Sequence, residues 1–293
     1  RPLRSMERKQ HMKDILIHSD RITAHVNAFG AELKGLALDG VEYLYDGDTV
    51  DYERTSPTLF PIIGRFLSDT YYVGNTAYHM PLNGFALNRN FAVEAQGDDF
   101  VRFKLCDDQR SRALYPFAFQ LYVEYHLANN RMRVSYRVVN TGKEELPFCL
   151  GCHTAYRWPL LENERPDDYC IVFEQEEKLD SFNPFNWKDE GFVNGSTRPL
   201  THRLFANFTR SFTGIRSSWI EFRGNSGHAV RIHRAEMPYI ALWTTPNESG
   251  RFICIEPCTS VHAGSATTMN DRNGVIVLDA GKICNRQFEI ELR

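Results

Sequence analysis

Between Phe119 and Val138 apolar and polar positions alternate with a period of two. Phe119, Leu121, Val123, Tyr125 and Leu127 run up to Asn129-Asn130, and Met132, Val134, Tyr136 and Val138 answer them beyond it. Such alternation puts one face of each strand in a core and leaves the other in water, and the paired asparagines mark a tight turn between them. The same pattern recurs in shorter form along the chain. Segments 15–18 and 21–27 read as paired strands, Gly30 turns the chain into 31–38, and Asp39-Gly40 is a hairpin signal leading to 41–45. Gly74-Asn75 joins 71–73 to 76–80, Gly97-Asp98-Asp99 marks another turn, and Asn225-Ser226-Gly227 separates 219–223 from 229–233. Segments 275–278 and 288–292 close the chain. Almost nothing keeps a helical period, and the one helical candidate is a short turn at 108–114, stopped by Pro116.

Strands at this spacing, joined by turns rather than helices, predict an all-β fold, a large antiparallel β-sandwich. Four longer pieces read as irregular, 51–67, 81–90, 152–168 and 175–204, and loops on a rigid sandwich are where sites are built. No repeat or low-complexity segment divides the chain, so 13–293 reads as one domain, with 1–12 as a leader or tag remnant.

Composition narrows the function. A chain of 293 residues with 42% hydrophobic residues, 24% charged residues and a formal net charge of -3 has no long-range field to draw in nucleic acid or an anionic membrane. No apolar run approaches the roughly 18 to 20 residues that cross a bilayer. Seven scattered cysteines, an odd number, with a basic start that lacks an apolar core segment, predict the reducing cytoplasm. The sequons at Asn194, Asn207 and Asn247 carry no weight there.

Chemistry concentrates in the stretch 148–160, where His153 stands beside aromatic residues with no charged neighbour before Arg157. Its expected partner is Glu256, at the end of an apolar strand that Pro257 is expected to stop. An imidazole and a carboxylate at two strand ends form a general acid/base arrangement. The Glu256 charge is expected to raise the His153 pKa, keeping the imidazole an acid at neutral pH.

Other features have plainer explanations. Cys149-Leu-Gly-Cys152-His153 matches the C-x-x-C-H haem-attachment pattern, and Cys254, Cys258 and His262 could be read as a zinc set. Buried strand cysteines explain both better, so no metal and no cofactor are expected. Arg65 ends the apolar loop Thr58-Leu-Phe-Pro-Ile-Ile-Gly-Arg65 and reads either as a surface ion pair or as a guanidinium held over a pocket. Asn83-Gly84 is a turn presenting an amide beside Phe85. Trp243 is either core or a sugar-stacking platform, and Glu236 reads as a solvated carboxylate. The chain has no G-x-x-x-x-G-K-[ST], G-x-G-x-x-G, H-E-x-x-H or G-x-S-x-G, which removes support for nucleotide cofactors, zincin chemistry and serine hydrolysis.

Four pieces in order, Phe60-Pro-Ile-Ile-Gly-Arg65, Asn83-Gly-Phe-Ala, Gly151-Cys-His153-Thr-Ala-Tyr156-Arg-Trp-Pro159 and Ile255-Glu256-Pro257, resemble the aldose 1-epimerase (galactose mutarotase-like) family. The resemblance covers nearly the whole chain from about Ile22. It implies a sandwich with an open sugar cleft, His153 as general acid, Glu256 as general base, and Arg65, Asn83, Trp243 and Asn207 as sugar-binding residues. The chain departs from the family where Asn83 stands for a histidine, Leu87 for an arginine, Thr154 for a proline and Cys258 for a tryptophan. Asn207 stands near the position of a hydroxyl-binding aspartate. The implied partner is a monosaccharide whose anomers are interconverted without a cofactor, and association with a second copy of the chain is left open. Two other readings stay open: a non-catalytic sugar sensor, and a phosphosugar epimerase drawing on Arg65, Arg89 and Arg157.

Overall fold

The computed structural model describes residues 14–47, 52–182, 188–206, 209–245, 250–261 and 265–293, and nearly all its elements are strands. The long hairpin of Phe119–Ala128 and Arg131–Asn140 follows the alternation directly. Leu121 lies opposite Val138, Val123 opposite Tyr136, Tyr125 opposite Val134 and Leu127 opposite Met132, all buried. Each such side chain removed from water contributes roughly 2 kcal/mol.

Among the described residues fifteen strands form one antiparallel sheet. Its order begins Thr58–Leu59, Gly151–Cys152, Phe252–Cys258, Tyr239–Trp243, Arg210–Phe212, Cys170–Phe182, and continues through Trp219–Arg223, Ala229–His233 and Ile283–Leu292 to the long hairpin and then Phe100–Cys106 and Ala92–Gln96. A four-stranded sheet, Ile15–His18, Ile22–Asn27, Glu32–Leu38 and Val41–Glu42, packs against it. Ile22, Ala24, Val26, Leu33 and Leu36 of the smaller sheet share one core with Val101, Phe103, Leu121 and Val123 of the larger. Between the layers the Tyr125 hydroxyl donates to the Ala31 carbonyl at 2.7 Å. This is the predicted antiparallel β-sandwich. The predicted helical turn is present as Gln109–Leu114. Asp108 stands just outside it as its cap and accepts from the Ser111 N–H.

Three local expectations are corrected. Segment 175–204 is mostly ordered ladder, the hairpin of Cys170–Phe182 with Lys188–Pro199. Its register shifts between Val172 and Glu177 and again between Leu179 and Ser181, which breaks the period of two that would have revealed it. Segment 152–168 likewise opens with strand, since Thr154–Arg157 pairs with Phe252–Cys258. Pro257 does not end its strand either. It pairs with Ile240, and the ladder runs on to Cys258 opposite Tyr239; a proline removes one donor and leaves its carbonyl available.

All seven cysteines are free thiols. Among the described residues no helix is long and apolar enough to cross a membrane. The leader expected over 1–12 lies outside the described residues.

Candidate active site

Strand register brings the two candidate residues together. Gly151 pairs with Cys258 and Thr154 with Ile255, so His153, between the two short strands, falls opposite Glu256. Directly opposed side chains in an antiparallel pair stand about 5 Å apart at Cβ. Here the tips approach further, with His153 Nε2 3.4 Å from Glu256 Oε1.

The row continues on both sides. The His153 N–H donates to the Pro57 carbonyl at 3.2 Å, Ala241 pairs with Glu256, and Ser211 pairs with Ala241. Pro57, His153, Glu256, Ala241 and Ser211 all line one cavity of about 540 Å³. That size suits a small polar ligand with room for its substituents.

Burial controls the electrostatics. The side chains of His153 and Glu256 are 13% and 5% exposed, and among the described residues Glu256 Oε1 has no hydrogen-bond partner. Loss of solvation pushes the Glu256 carboxyl up to about 8 and the His153 imidazole down to about 4. The expected rise of the His153 pKa is therefore overturned. Desolvation dominates both groups, and a carboxyl raised by burial carries little charge with which to raise the imidazole.

Aromatic rings complete the environment of the imidazole. Tyr52 stacks on His153 with centroids 5.1 Å apart, and Trp243 meets it edge-on at 5.5 Å. The Tyr52 hydroxyl lies 3.0 Å from His153 Nδ1. Trp243 is thus neither simple core nor a free platform, since it lines the cavity and walls the histidine together.

The other predicted residues divide. Arg65 lines the cavity with its side chain 52% exposed and a loose 3.7 Å contact to Asp69. Asn83 also lines the cavity, but its Oδ1 accepts from the Gly64 N–H at 2.6 Å and its own N–H donates to the Gly64 carbonyl at 2.7 Å. It locks two loops together, with its backbone at φ 61. Gly84 beside it is required, because a Cβ there would lie 2.1 Å from the Phe60 carbonyl oxygen. Asn207 lies outside the described residues, although nearby Thr209 and Ser211 line the cavity.

Tyr52, Arg54, Ser211 and Tyr239 line the same cavity, and no motif or local pattern marks any of them as a site residue. Arg54 is held in place by Glu32 at 3.3 Å and by the Leu87 carbonyl at 3.1 Å. No local pattern marks Arg272 either. Only 2% exposed, it donates to the carbonyls of Ile63 and Arg65 and lies 4.8 Å over the Phe66 ring. Among the described residues it meets no carboxylate. Arg89 and Arg157, the other two cations named for a phosphate, are engaged elsewhere, Arg89 with Asp108 and Arg157 with the Leu44 carbonyl.

One group among the described residues is compact enough to consider for a metal: His153, Cys254 and Glu256, whose ligand atoms lie within 4.8 Å of one another. Burial pushes the Cys254 thiol well above its ordinary value. His262 of the alternative zinc set lies outside the described residues. Cys149, between two short strands, and Cys152, in the strand Gly151–Cys152, are both buried.

The family model for aldose 1-epimerase matches residues 13–291. The chain belongs to the aldose 1-epimerase family. This family member is 25% identical over 281 residues to the plasmid-borne protein LacX of Lactococcus lactis subsp. lactis, a match covering 88% of this chain and 90% of that one. A galactose mutarotase-like protein from Lactobacillus casei superposes with a TM-score of 0.87 at 27% identity, over 96% of this chain and 100% of the other. The galactose mutarotase related enzyme of Lactobacillus acidophilus shares the fold, with a TM-score of 0.88 at 24% identity over 96% and 97% of the two chains.

Proposed function

We propose that this family member is a cytoplasmic mutarotase that interconverts the α and β anomers of a hexose or related aldose. The observation that carries the reading is the His153–Glu256 pair, 3.4 Å apart on the floor of the cavity. Ring opening of a cyclic hemiacetal takes a proton from the C1 hydroxyl and gives one to the ring oxygen. Those two oxygens share a carbon, so a base and an acid must stand side by side, as these do. Among the described residues Glu256 Oε1 has no hydrogen-bond partner. A C1 hydroxyl donating to it supplies a hydrogen bond and favours the carboxylate, and the imidazole, taking up one proton in its place at its bare nitrogen, presents the Nε2–H of an imidazolium to the ring oxygen.

Glu256 then takes the hydroxyl proton as His153 protonates the ring oxygen and the C1–O5 bond breaks. Rotation about C1–C2 and reclosure with the proton transfers reversed give the other anomer. No redox step or group transfer occurs, so the reaction itself needs no cofactor.

Polarimetry of freshly dissolved α-glucose and α-galactose tests the proposal. Faster decay of rotation on adding the protein is expected. Sugar binding without acceleration would overturn it in favour of a sensor. Running the hexose 6-phosphates beside the hexoses reads the contribution of Arg65 and Arg54 at the cavity wall.

The carbonyls that Arg272 grips belong to the loop bearing Arg65. Arg272→Met is expected to raise KM several-fold while kcat changes little, with the melting temperature recorded alongside. An unchanged KM would show that the loop holds its place without the buried guanidinium.

A further inference from the structure

We infer that Tyr52 is a positioning residue that fixes which nitrogen of His153 faces the cavity and follows the proton as it moves. The inference rests on the acid/base reading of His153 and Glu256. It starts from the 3.0 Å contact between the Tyr52 hydroxyl and His153 Nδ1. A neutral imidazole has one N–H and one bare nitrogen, whereas an imidazolium has two N–H groups. A partner that could only donate or only accept would suit one of these states and oppose the other. A phenol does both.

With neutral His153 the Tyr52 O–H donates to Nδ1, which places the single imidazole proton on Nε2, toward Glu256. With protonated His153 the Nδ1–H donates to the Tyr52 oxygen, a charge-assisted bond and the stronger of the two. The hydroxyl thus favours the proton-donating state without leaving the resting state unpaired.

The surroundings hold the phenol to this role. Its ring stacks on Phe252 with centroids 5.5 Å apart and meets Trp243 at 5.4 Å, so the hydroxyl is aimed by packing. Burial raises the Tyr52 phenol well above its ordinary value, reinforced by Cys254, Glu256 and Glu32 and opposed by Arg54. It stays protonated across the working range. The titratable and charged groups around the pair are accordingly Glu256 and Cys254 from the Phe252–Cys258 strand, Glu32 from Glu32–Leu38 and Arg54 from the same loop. None of them contacts Nδ1 in place of the phenol among the hydrogen bonds of the described residues. Nothing in the spacing of the sequence pointed here, because Tyr52 sits in a loop rather than on a patterned strand.

Tyr52→Phe keeps the ring and removes only the hydroxyl, so the fold should persist. Three results are expected. First, kcat falls about tenfold, the effect of one lost hydrogen bond, with KM little changed. Second, the acid limb of the pH–rate profile moves down by about one pH unit while the alkaline limb stays in place. Third, nitrogen-15 NMR of His153 shows a single Nε2–H tautomer in the parent and a mixture in the variant. A variant with parent-like tautomer and acid limb and only a lower melting temperature would overturn the inference and reduce Tyr52 to packing. The NMR measurement needs no turnover, so the inference can fail while mutarotation stands, and the reverse outcome is equally readable.

Discussion

Glu256→Gln should abolish most of the acceleration of mutarotation, by roughly 10²- to 10⁴-fold in kcat, while leaving the sandwich intact. The substitution preserves shape and removes the one group that can take the C1 hydroxyl proton. His153→Ala should cost a similar factor, because the ring oxygen then has no donor. The two losses should not add, since the residues act as one unit on one proton inventory. Circular dichroism should be unchanged for both. Neither side chain contributes a backbone hydrogen bond to the ladder, and Glu256→Gln removes a buried ionisable group instead of a packed apolar one. A double variant much slower than either single one would count against concerted action.

The second large effect is pH dependence. Burial sets Glu256 to about 8 and His153 to about 4, so between these limits the pair carries one proton. Below about pH 4 both groups are protonated and no base is left; above about pH 8 both are bare and no acid is left. The kcat/KM profile should be a broad bell with limbs near those values, falling about tenfold per unit beyond each. A narrow profile centred on an ordinary histidine, near 6.5, would contradict the burial argument.

Stability follows with opposite signs for the two residues. A carboxyl whose native pKa lies above its unfolded value binds its proton more tightly in the native state. Glu256 therefore costs nothing below about pH 4.5 and costs progressively more up to about pH 8. An imidazole lowered to about 4 costs nothing above about pH 6.5 and costs more as pH falls toward 4. Glu256→Gln should therefore raise the melting temperature at pH 9, by an amount equivalent to a few kcal/mol, and have little effect at pH 4.5.

How much of this could be read from the chain depends on what each feature needs. The long hairpin was legible because its alternation is local, with Leu121 and Val138 each recognisable without knowledge of the other. His153 and Glu256 were legible as types in distinctive surroundings. Their opposition was not, because it depends on register among short strands broken at His153. The row through Ala241 and Ser211 requires the strand order, and no local pattern encodes that. The Cys170–Phe182 hairpin is hidden by its bulges, and Pro257 does not stop its strand because a proline loses one donor but keeps its carbonyl. The sign of the His153 shift failed for a related reason. The sequence displays the neighbouring charge, but burial appears only once the chain has folded.

The chemical proposal requires that one anomeric centre be reached by both groups at once. A crystal structure of Glu256→Gln soaked with the hexose it binds best measures this directly. His153 Nε2 should lie about 2.6 to 3.2 Å from the ring oxygen, with the substituted side chain within the same range of the C1 hydroxyl. A sugar seated in the cavity with its anomeric carbon turned away from either residue would contradict it.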